Sequence, residues 1–317
     1  MGERLKDKGA VVVGGGGGIG GEIALALAAE GAKVIVNDPG GARDGTGSDR
    51  SLADKTVARI KEKGGLAVAN YASAVDFNAA KEIVDSCLSN FGRLDILVNA
   101  AGINREKMLW NMTDQDWDMV LKVHLYTNFN TIRWAAGIMR EQRRGRIILT
   151  TSSAWLGNIG QINYAAAKGA IVSFTRSSAR ELGGYGITCN CLAPGAATRM
   201  TMTEEVKAGF RKRVESGVMT QEAYEAFLNQ PGPEWVPPIV VYLCTDEAWN
   251  VNGKVFSAMG DKIGIYSEPV ETIQIFNNGN IWTLDQLLNL VPKTLLAGYV
   301  NPRPPEKPKE KKPGSVL

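Results

Sequence analysis

The amino-acid sequence predicts an α/β protein in which one mostly parallel sheet of seven strands carries helices on both faces. Three observations support this prediction. Short apolar runs alternate with helical patterns at about 30 residues per repeat, as in strand–helix–strand units. The first run leads directly into a glycine-rich loop at residues 14–20. The hydrophobic content of 44% and the charged content of 22% are ordinary for a globular chain of 317 residues.

The predicted strands are short, rich in apolar or β-branched residues, and mostly end at Gly, Asn, Asp or Pro. They lie at residues 10–13, 33–37, 66–70, 96–99, 146–152, 187–192 and 254–258. Helical periodicity between them predicts helices over residues 19–30, 51–63, 78–91, 114–143 and 162–183. We expect right-handed crossovers and helices on both faces, because a parallel sheet needs both faces covered.

Residues 1–260 are predicted to form a single domain. A polar and Met-rich insertion over residues 196–230 is expected to be either a lid on the substrate or an ordinary packed helix pair. Residues 261–300 form a C-terminal extension that we expect to pack on the domain. The Pro- and Lys-rich basic tail, residues 301–317, is expected to be disordered because it has little apolar surface to bury.

Two local signals fall in the C-terminal extension. Asn278-Gly279 lies between two apolar runs and is a possible hairpin turn. Thr283 with Gln286 resembles a capping box that opens a short helix.

The charge balance and the rare residue types exclude several classes of protein. The 36 Lys and Arg residues exceed the 33 Asp and Glu residues by three, and this excess lies in residues 301–317, so the body does not suggest a nucleic-acid-binding protein. A single histidine, His124, excludes multi-histidine zinc sites, and no metal is expected. Four cysteines do not form a disulfide framework. No apolar run approaches the roughly 18 residues of a membrane span, and we expect a cytoplasmic location.

The glycine-rich loop is the first candidate site. Glycines let the backbone turn tightly and approach a pyrophosphate, which then rests on the N–H groups that open the next helix. The loop residues concerned are Gly14, Gly18, Ile19 and Gly20. A bare glycine run could be a flexible linker, but the strand before it, the helix after it and Asp38 at the end of the second strand favour a Rossmann-like dinucleotide site.

Asp38 would accept hydrogen bonds from the adenosine ribose hydroxyls and repel a 2′-phosphate, which favours NAD as the cofactor. The glycine loop has no basic residue to hold such a phosphate. Arg43 and Arg50 in the following loop are either solvated charges or partners for that group.

Tyr164 and Lys168 form the second candidate site. A spacing of four residues places the phenol and the ammonium on one face of a helix. A tyrosine base near neutrality needs its pKa lowered by about 2–3 units, and a neighbouring ammonium with a positive nicotinamide ring has the right sign to do this. Such a pair also occurs by chance on many exposed helices. Here it follows Ser152, at the predicted carboxyl end of the fifth strand, where open α/β sheets bind ligands.

These motifs together resemble the short-chain dehydrogenase/reductase family over residues 5 to about 260. In chain order they are the loop of residues 14–20, Asn99-Ala100-Ala101-Gly102, Ser152, Tyr164 with Lys168, Pro194-Gly195 and Thr198. Within the family, the sequence is most similar to the (3R)-hydroxyacyl-CoA dehydrogenase domains of the peroxisomal multifunctional enzyme type 2 group and its bacterial relatives. The stretches that carry this closer similarity are residues 36–41, 67–71, 123–125, 157–164 and 193–203.

The resemblance implies a role for each matching residue. Tyr164 would be the general acid/base, Lys168 would hold the nicotinamide ribose and lower the pKa of the phenol, and Ser152 would hydrogen-bond the substrate oxygen. The residues implied to bind the cofactor, beside the glycine loop and Asp38, are Asn99, Ala100, Gly102, Tyr164, Lys168, Pro194, Gly195 and Thr198.

Four positions depart from the family pattern. Val13 stands where the family usually has Thr, and Ala72 stands where an Asp often lies near the adenine. The interval from Ser152 to Tyr164 is one residue shorter than is usual in the family, so Ser153 is an alternative to Ser152 as the catalytic serine. His124 replaces the Asn that many members use in a proton relay through Lys168. It is therefore either a structural helix histidine or a further catalytic residue.

The leading hypothesis is an NAD-dependent oxidoreductase that interconverts a secondary alcohol and a ketone, with a 3-hydroxyacyl-CoA and its 3-oxoacyl-CoA, as in β-oxidation, as the first substrate pair to consider. The alternatives are a dehydrogenase of steroids or other secondary alcohols, a 3-oxoacyl carrier-protein reductase, and a non-catalytic dinucleotide sensor. The resemblance also implies a homo-dimer or homo-tetramer assembled through the long helices over residues 114–143 and 162–183.

Overall fold

A computed structural model describes residues 2–198, 201–217 and 219–301, and within them a single eight-stranded sheet organises the fold. Its strands are β1 Gly9–Val13, β2 Lys33–Asn37, β3 Leu66–Asn70, β4 Ile96–Asn99, β5 Gly145–Thr150, β6 Ile187–Pro194, β7 Val255–Met259 and β8 Lys262–Ile265. Their spatial order is β3-β2-β1-β4-β5-β6-β7-β8. The order reverses between β1 and β4, which confirms the prediction of a Rossmann-like, doubly wound fold.

The predicted number of seven strands was wrong, because β8 adds an eighth strand at the edge of the sheet. This strand pairs antiparallel with β7, whereas the other neighbouring strands pair in parallel. A tight turn at Gly260, with φ of 58°, reverses the chain between Met259 and Lys262. The sequence Lys-Ile-Gly-Ile is short and contains glycine, so it gave little strand signal.

The helices of the described residues are α1 Gly18–Ala29, α2 Ser51–Glu62, α3 Phe77–Phe91, α4 Asp114–Leu121, α5 Thr127–Gln142, α6 Ile162–Leu182, α7 Glu204–Glu215, α8 Gln221–Leu228, α9 Pro237–Cys244 and α10 Leu284–Leu290. Within residues 2–266, six of them cover the two faces of the sheet. Helices α1, α2 and α9 bury side chains in one apolar cluster, and α3, α5 and α6 do so in another. Along β1, Ala10 and Val12 belong to the first cluster and Val11 and Val13 to the second, as the two-residue period of a strand requires.

The predicted single helix over residues 114–143 was wrong in one respect, because it is interrupted. Helix α4 ends at Leu121, a π-helical segment covers Lys122–Tyr126, and α5 begins at Thr127. Thr113 caps α4 through a capping box with Asp116. A π segment inserts an extra residue into a helix and often marks a functional site. Here it contains His124.

The insertion over residues 196–230 forms α7 and α8, which contact each other through aromatic rings. Phe210 and Phe227 stack with their ring centroids 4.1 Å apart. Tyr224 stacks on Phe227 in turn, and both of these α8 side chains are buried. The apolar groups of the insertion therefore pack partly on each other, as an ordinary helix pair does. Whether the pair also acts as a lid stays a prediction.

The chain divides into two compact units, residues 1–266 and 267–317. In the second unit the capping box of Thr283 with Gln286 is confirmed and opens α10. The possible hairpin was wrong: Asn278 and Gly279 both have positive φ, as a tight turn requires, but the runs on either side form no strands. The predicted packing of the extension stays a prediction, and the predicted disorder of the tail falls on residues 302–317, outside the described part.

Two expectations from composition bear on the core and on membranes. All four cysteines are free and buried, including Cys189 and Cys191 on β6. Burial raises the pKa of Cys87 and of Cys244 to about 12, so these thiols stay protonated. Among the described residues, no helix has the length and apolar character needed to cross a membrane.

Candidate active site

The sequence-predicted site residues lie at one edge of the sheet, where its parallel strands end. The glycine loop follows β1, Asp38 follows β2, Asn99 ends β4, Ser152 lies just after β5, and Pro194 ends β6. This edge includes the place between β1 and β4 where the strand order reverses, which is where open α/β sheets bind ligands.

The glycine loop is so tightly packed that two of its glycines have no room for a side chain. A Cβ atom at Gly20 would lie 2.1 Å from the carbonyl oxygen of Gly14. A Cβ atom at Gly14, whose φ is 75°, would lie 2.6 Å from the amide nitrogen of Ala101. The start of α1 is thereby brought close to β4. Ile19 at that start packs against the buried cluster beneath the loop. Gly18 opens the helix with a positive φ of 52°.

Asp38 is held at the loop by two backbone donors. Gly16 N donates to Oδ2 at 2.9 Å, and Gly40 N donates to Oδ1 at 2.8 Å. The carboxylate is therefore fixed beside the glycine loop, where the ribose of a dinucleotide would lie. Of the two arginines in the following loop, Arg43 forms an ion pair with Glu106 at 3.1 Å, and Arg50 lies 5.1 Å from the centre of the Tyr71 ring.

The Asn99–Gly102 segment leaves β4 beneath the glycine loop. Ala100 N donates to Val13 O at 2.8 Å, and Asn99 Oδ1 accepts from Ala101 N at 3.2 Å. The Nδ2 atom of Asn99 is buried without a hydrogen-bond partner. A buried amide donor without a partner is costly, so this atom suits a cofactor oxygen. The residues of the edge therefore fit a dinucleotide.

The segment after β6 lies on the other side of the glycine loop. Gly195 N donates to Ala258 O at 2.8 Å, which continues the β6–β7 ladder past Pro194. Thr198 Cγ2 lies 3.8 Å from the position of a Cβ atom at Gly18. Thr198 therefore lies next to the glycine loop at the start of α1.

Ser152 and Tyr164 are brought together by β5 and α6. Ser152 is half-buried and its Oγ accepts from Ala154 N at 3.3 Å, whereas Ser153 is exposed. A hydrogen bond from the Ser152 side chain acts on the Tyr164 phenol and stabilises its ionised form. This contact favours Ser152 over Ser153 as the serine that acts with the tyrosine.

Lys168 is fully enclosed one helical turn after Tyr164. Its Nζ donates to Thr150 O at 2.7 Å and lies 5.3 Å from the centre of the Tyr164 ring. Burial lowers the pKa of Lys168 to about 8, although the Cys191 thiol acts in the opposite direction. The Thr151 hydroxyl donates to the Lys168 backbone carbonyl at 2.7 Å and anchors this turn to the end of β5.

The pKa of Tyr164 lies above its ordinary value, opposite to the direction expected from the sequence. Burial is the main cause, the charge of Glu106 adds to it, and the hydrogen bond with Ser152 opposes it. The protein residues alone therefore hold the phenol protonated. A positive charge next to the hydroxyl would lower this pKa.

His124 lies buried beside Tyr164, with the two rings edge to face and their centroids 5.2 Å apart. Its Nε2 atom lies 2.8 Å from Ile103 O, while its Nδ1 atom is buried without a partner. Burial, with the nearby Lys168 charge, holds the pKa of His124 well below 6.5, although the Ile103 backbone acts against this. The backbone carbonyl of His124 accepts from Asn128 Nδ2 at 2.7 Å.

Sequence reasoning did not identify Asn128, Asn163 or Thr151, which all support the site from buried positions. Asn163 directly precedes Tyr164 and bonds three backbone groups. The available signal was a polar residue beside the tyrosine in a helix that packs on the sheet. That signal does not distinguish a buried amide from an exposed one.

The fold and site together define an oxidoreductase that would act on a CH–OH group with a dinucleotide. The short chain dehydrogenase family profile matches residues 8–209. The chain belongs to the short-chain dehydrogenase/reductase family, whose members generally bind NAD or NADP.

Similar proteins are found among bacterial and eukaryotic enzymes. A short-chain type dehydrogenase/reductase of Mycobacterium tuberculosis is 43% identical over 260 residues, which are 82% of this chain and 84% of that protein. The peroxisomal multifunctional enzyme type 2 of Mus musculus is 41% identical over 255 residues, or 80% of this chain but only 32% of that enzyme. A hydroxyacyl-CoA dehydrogenase of M. tuberculosis is 36% identical over 292 residues, 89% of this chain and 87% of that protein.

A solved structure resembles the fold over almost its whole length. The crystal structure of a short chain dehydrogenase from Mycobacterium avium matches with a TM-score of 0.78 and 37% sequence identity. The match covers 96% of this chain and 100% of that one.

Proposed function

We propose that the protein catalyses the NAD-dependent interconversion of a 3-hydroxyacyl-CoA and a 3-oxoacyl-CoA. The observation that carries this proposal is the cluster of Ser152, Tyr164 and the buried Lys168 at the carboxyl edge of the sheet, with the fixed Asp38 at the end of β2 on the same edge. Similarity to a hydroxyacyl-CoA dehydrogenase over 89% of the chain supports the substrate class.

NAD rather than NADP is proposed because of Asp38. Its two carboxylate oxygens are each bound by a backbone N–H, from Gly16 and from Gly40, so the side chain cannot turn away without losing both bonds. A 2′-phosphate would bring negative charge next to this carboxylate, whereas ribose hydroxyls can donate to it.

In the proposed oxidation, the side chains bind the alcohol and move its proton. Ser152 hydrogen-bonds the substrate oxygen and holds the carbinol beside Tyr164. The phenolate of Tyr164 takes the hydroxyl proton in oxidation. In reduction, the phenol of Tyr164 donates a proton to the carbonyl oxygen. A bound nicotinamide would supply the redox chemistry, as the acceptor of the hydride that leaves the carbinol carbon. Burial raises the pKa of Tyr164. The Lys168 ammonium, 5.3 Å from the centre of the Tyr164 ring, and the positive ring of a bound cofactor would act in the opposite direction and favour the phenolate.

The catalytic role of His124 is proposed to be indirect. Its neutral ring packs on Tyr164 and holds the Ile103 backbone, while its carbonyl group is already bound by Asn128. A Cβ atom at Gly102 would lie 2.6 Å from His124 Cε1, so the histidine also fixes the cofactor-side segment after β4.

An assay of NADH formation tests the proposal. The panel contains (3R)- and (3S)-hydroxyacyl-CoAs of several acyl lengths, a hydroxyacyl carrier-protein thioester, a hydroxysteroid and simple secondary alcohols, each with NAD and NADP. We expect one hydroxyacyl-CoA with NAD to give the highest kcat/KM. A higher value for a steroid, or for the carrier-protein substrate with NADP, would replace the proposed substrate class.

The proposed partners are an acyl-CoA substrate and other copies of the chain, as a homo-dimer or homo-tetramer. The exposed aromatic side chains of Trp117, Tyr126 and Phe129 on the α4–α5 region suit an interface between copies. Light scattering after size-exclusion chromatography would give the number of subunits, and a monomer would overturn this part.

A further inference from the structure

The first turn of α6, which carries Tyr164, is not capped in the usual way. The first N–H groups of a helix have no partner within the helix and normally receive one from the N-cap side chain. The residue at that position, Gln161, makes no capping hydrogen bond. Instead, Asn163 Oδ1 accepts from Tyr164 N at 2.7 Å. The backbone of the catalytic tyrosine is thus held by the side chain of the residue before it.

Asn163 also connects this turn to two other parts of the chain. Its Nδ2 donates to Arg105 O at 3.1 Å and to Asp116 O at 3.0 Å. The residue has no exposed surface. Both amide hydrogens and the amide oxygen are therefore used, and each bond would be costly to leave unmade at this depth. One amide ties α6 to the segment after β4 and to the first turn of α4.

At the junction between the start of α6 and the segment after β4, two further contacts involve the residues just before α6. Lys107 N donates to Gly160 O at 2.9 Å, and Gln161 Nε2 donates to Glu106 Oε1 at 2.5 Å. Unlike the amide of Asn163, Gln161 and Glu106 are exposed enough to exchange these bonds with water. Asn163 is the buried member of the junction and the one next to the reacting group.

We propose that Asn163 is a positioning residue that fixes the Tyr164 phenol by fastening the first turn of α6 to Arg105 and Asp116. The Ser152 side chain acts on the phenol, and the His124 ring lies edge to face with the Tyr164 ring at 5.2 Å between centroids, so a small rotation of this turn would move the phenol relative to these groups and the substrate oxygen. Positioning errors of about 1 Å can cost about 100-fold in rate. This inference rests on the proposed acid/base role of Tyr164.

The test compares Asn163→Leu with Asn190→Leu. Asn190 in the middle of β6 is equally buried, donates to Val251 O at 2.7 Å and accepts from Lys254 N at 3.0 Å, so its side chain supports the segment before β7 and not the first turn of α6. We measure kcat and the KM for NAD with the best secondary-alcohol substrate of the wild type. Rates are divided by the concentration of NADH-binding sites, so that a smaller fraction of folded protein does not lower the measured kcat. Asn163→Asp, which keeps the acceptor and loses both donors, replaces the Leu variant if that one does not fold.

We expect kcat per site to fall about 10- to 100-fold at position 163 with the KM for NAD within about threefold, and to stay within about twofold in Asn190→Leu. Equal rates per site in the two Leu variants would overturn the inference. Crystal structures of the NADH complexes give a second readout that needs no substrate. In them the distance between Tyr164 Oη and Ser152 Oγ should lengthen only in the position-163 variant, and an unmoved phenol would also overturn the inference. A wild type that oxidises no hydroxyacyl-CoA contradicts the proposed function alone.

Discussion

The glycine loop and the catalytic helix lie at the same edge of the sheet but hold their functional groups by different means. Around Gly20, backbone packs directly on backbone, 2.1 Å from where a side chain would begin. Around Tyr164, buried polar side chains make the contacts, with Asn163 and Thr151 bonding backbone groups of α6. The glycine loop depends on residues that have no side chain, whereas α6 depends on hydrogen bonds from buried side chains. Substitutions should therefore affect the two regions in different ways.

The largest effect is expected from Tyr164→Phe in the catalytic helix, α6. Removing the hydroxyl abolishes proton transfer but keeps the ring that packs on His124. We expect kcat to fall about 10³-fold, while a fluorescence titration gives an NADH affinity within about twofold of the wild type. Activity above about a tenth of the wild type would contradict the assigned role of the phenol.

The second largest effect is expected from Asp38→Asn beside the glycine loop. The neutral amide no longer repels a 2′-phosphate, so the preference for NAD over NADP, as a ratio of kcat/KM values, should fall about 10- to 100-fold. Asp85→Asn on α3 makes the same change in charge at an exposed ion pair with Lys81 and should leave the ratio unchanged. An unchanged ratio in Asp38→Asn would show that this carboxylate does not select the cofactor.

A smaller effect, on stability, distinguishes the close-packed loop from an open helix. Gly20→Ala places a methyl group against the Gly14 carbonyl and should lower the free energy of unfolding by about 1–3 kcal/mol. Gly137→Ala in α5 meets no atom within 4 Å and should raise it by about 0.5–1 kcal/mol. Thermal melts of the two variants check the difference. Equal melting temperatures would mean that the loop can relax around a side chain.

The smallest effect concerns His124 and acid. Because the pKa of His124 is held below that of an unfolded histidine, the unfolded state binds the additional proton as the pH falls below about 6.5, and the folded state loses stability. The wild type should therefore lose up to about 1.4 kcal/mol per pH unit in this range, a loss that His124→Asn lacks. Melts between pH 7 and 5 measure it. The slopes of wild type and variant would coincide if the imidazole were already charged.

The rate profile of a His124 variant addresses the relay separately. Because burial holds the pKa of His124 well below 6.5, its ring contributes no ionisation near neutral pH, so the pH dependence of kcat there should be the same in His124→Ala as in the wild type. Loss of an ionisation from that profile would instead support a proton relay through the side chain.

The sequence predicted the glycine loop and Asp38 more completely than the surroundings of Tyr164. The glycines, Asp38 and the seven parallel strands stand in a fixed local order, so their spacing in the chain carries the geometry. The support of Tyr164 cannot be found in this way, because Asn163 bonds Arg105 and Asp116, which are distant in sequence. The π segment around His124 could not be predicted either, because the helical periodicity of the sequence continues through it.

The edge of the sheet shows a further limit of sequence reasoning. Strand β8 forms because β7 offers it an open edge and Gly260 allows the turn. The runs beside Asn278 have comparable apolar residues and a suitable turn, yet they form no strands. Whether a short apolar run becomes a strand depends on a neighbour to pair with, which the run itself does not encode.

The most direct test of the central claim follows the transferred hydrogen. The wild-type protein is incubated with NAD and a (3R)-hydroxyacyl-CoA carrying deuterium at C3, and the mass of the NADH is measured, with Tyr164→Phe run in parallel. We predict NADH one mass unit heavier from the wild type and little NADH of either mass from the variant. Unlabelled NADH, or equal amounts of labelled NADH from both proteins, would contradict oxidation at this carbon with Tyr164 as the acid/base.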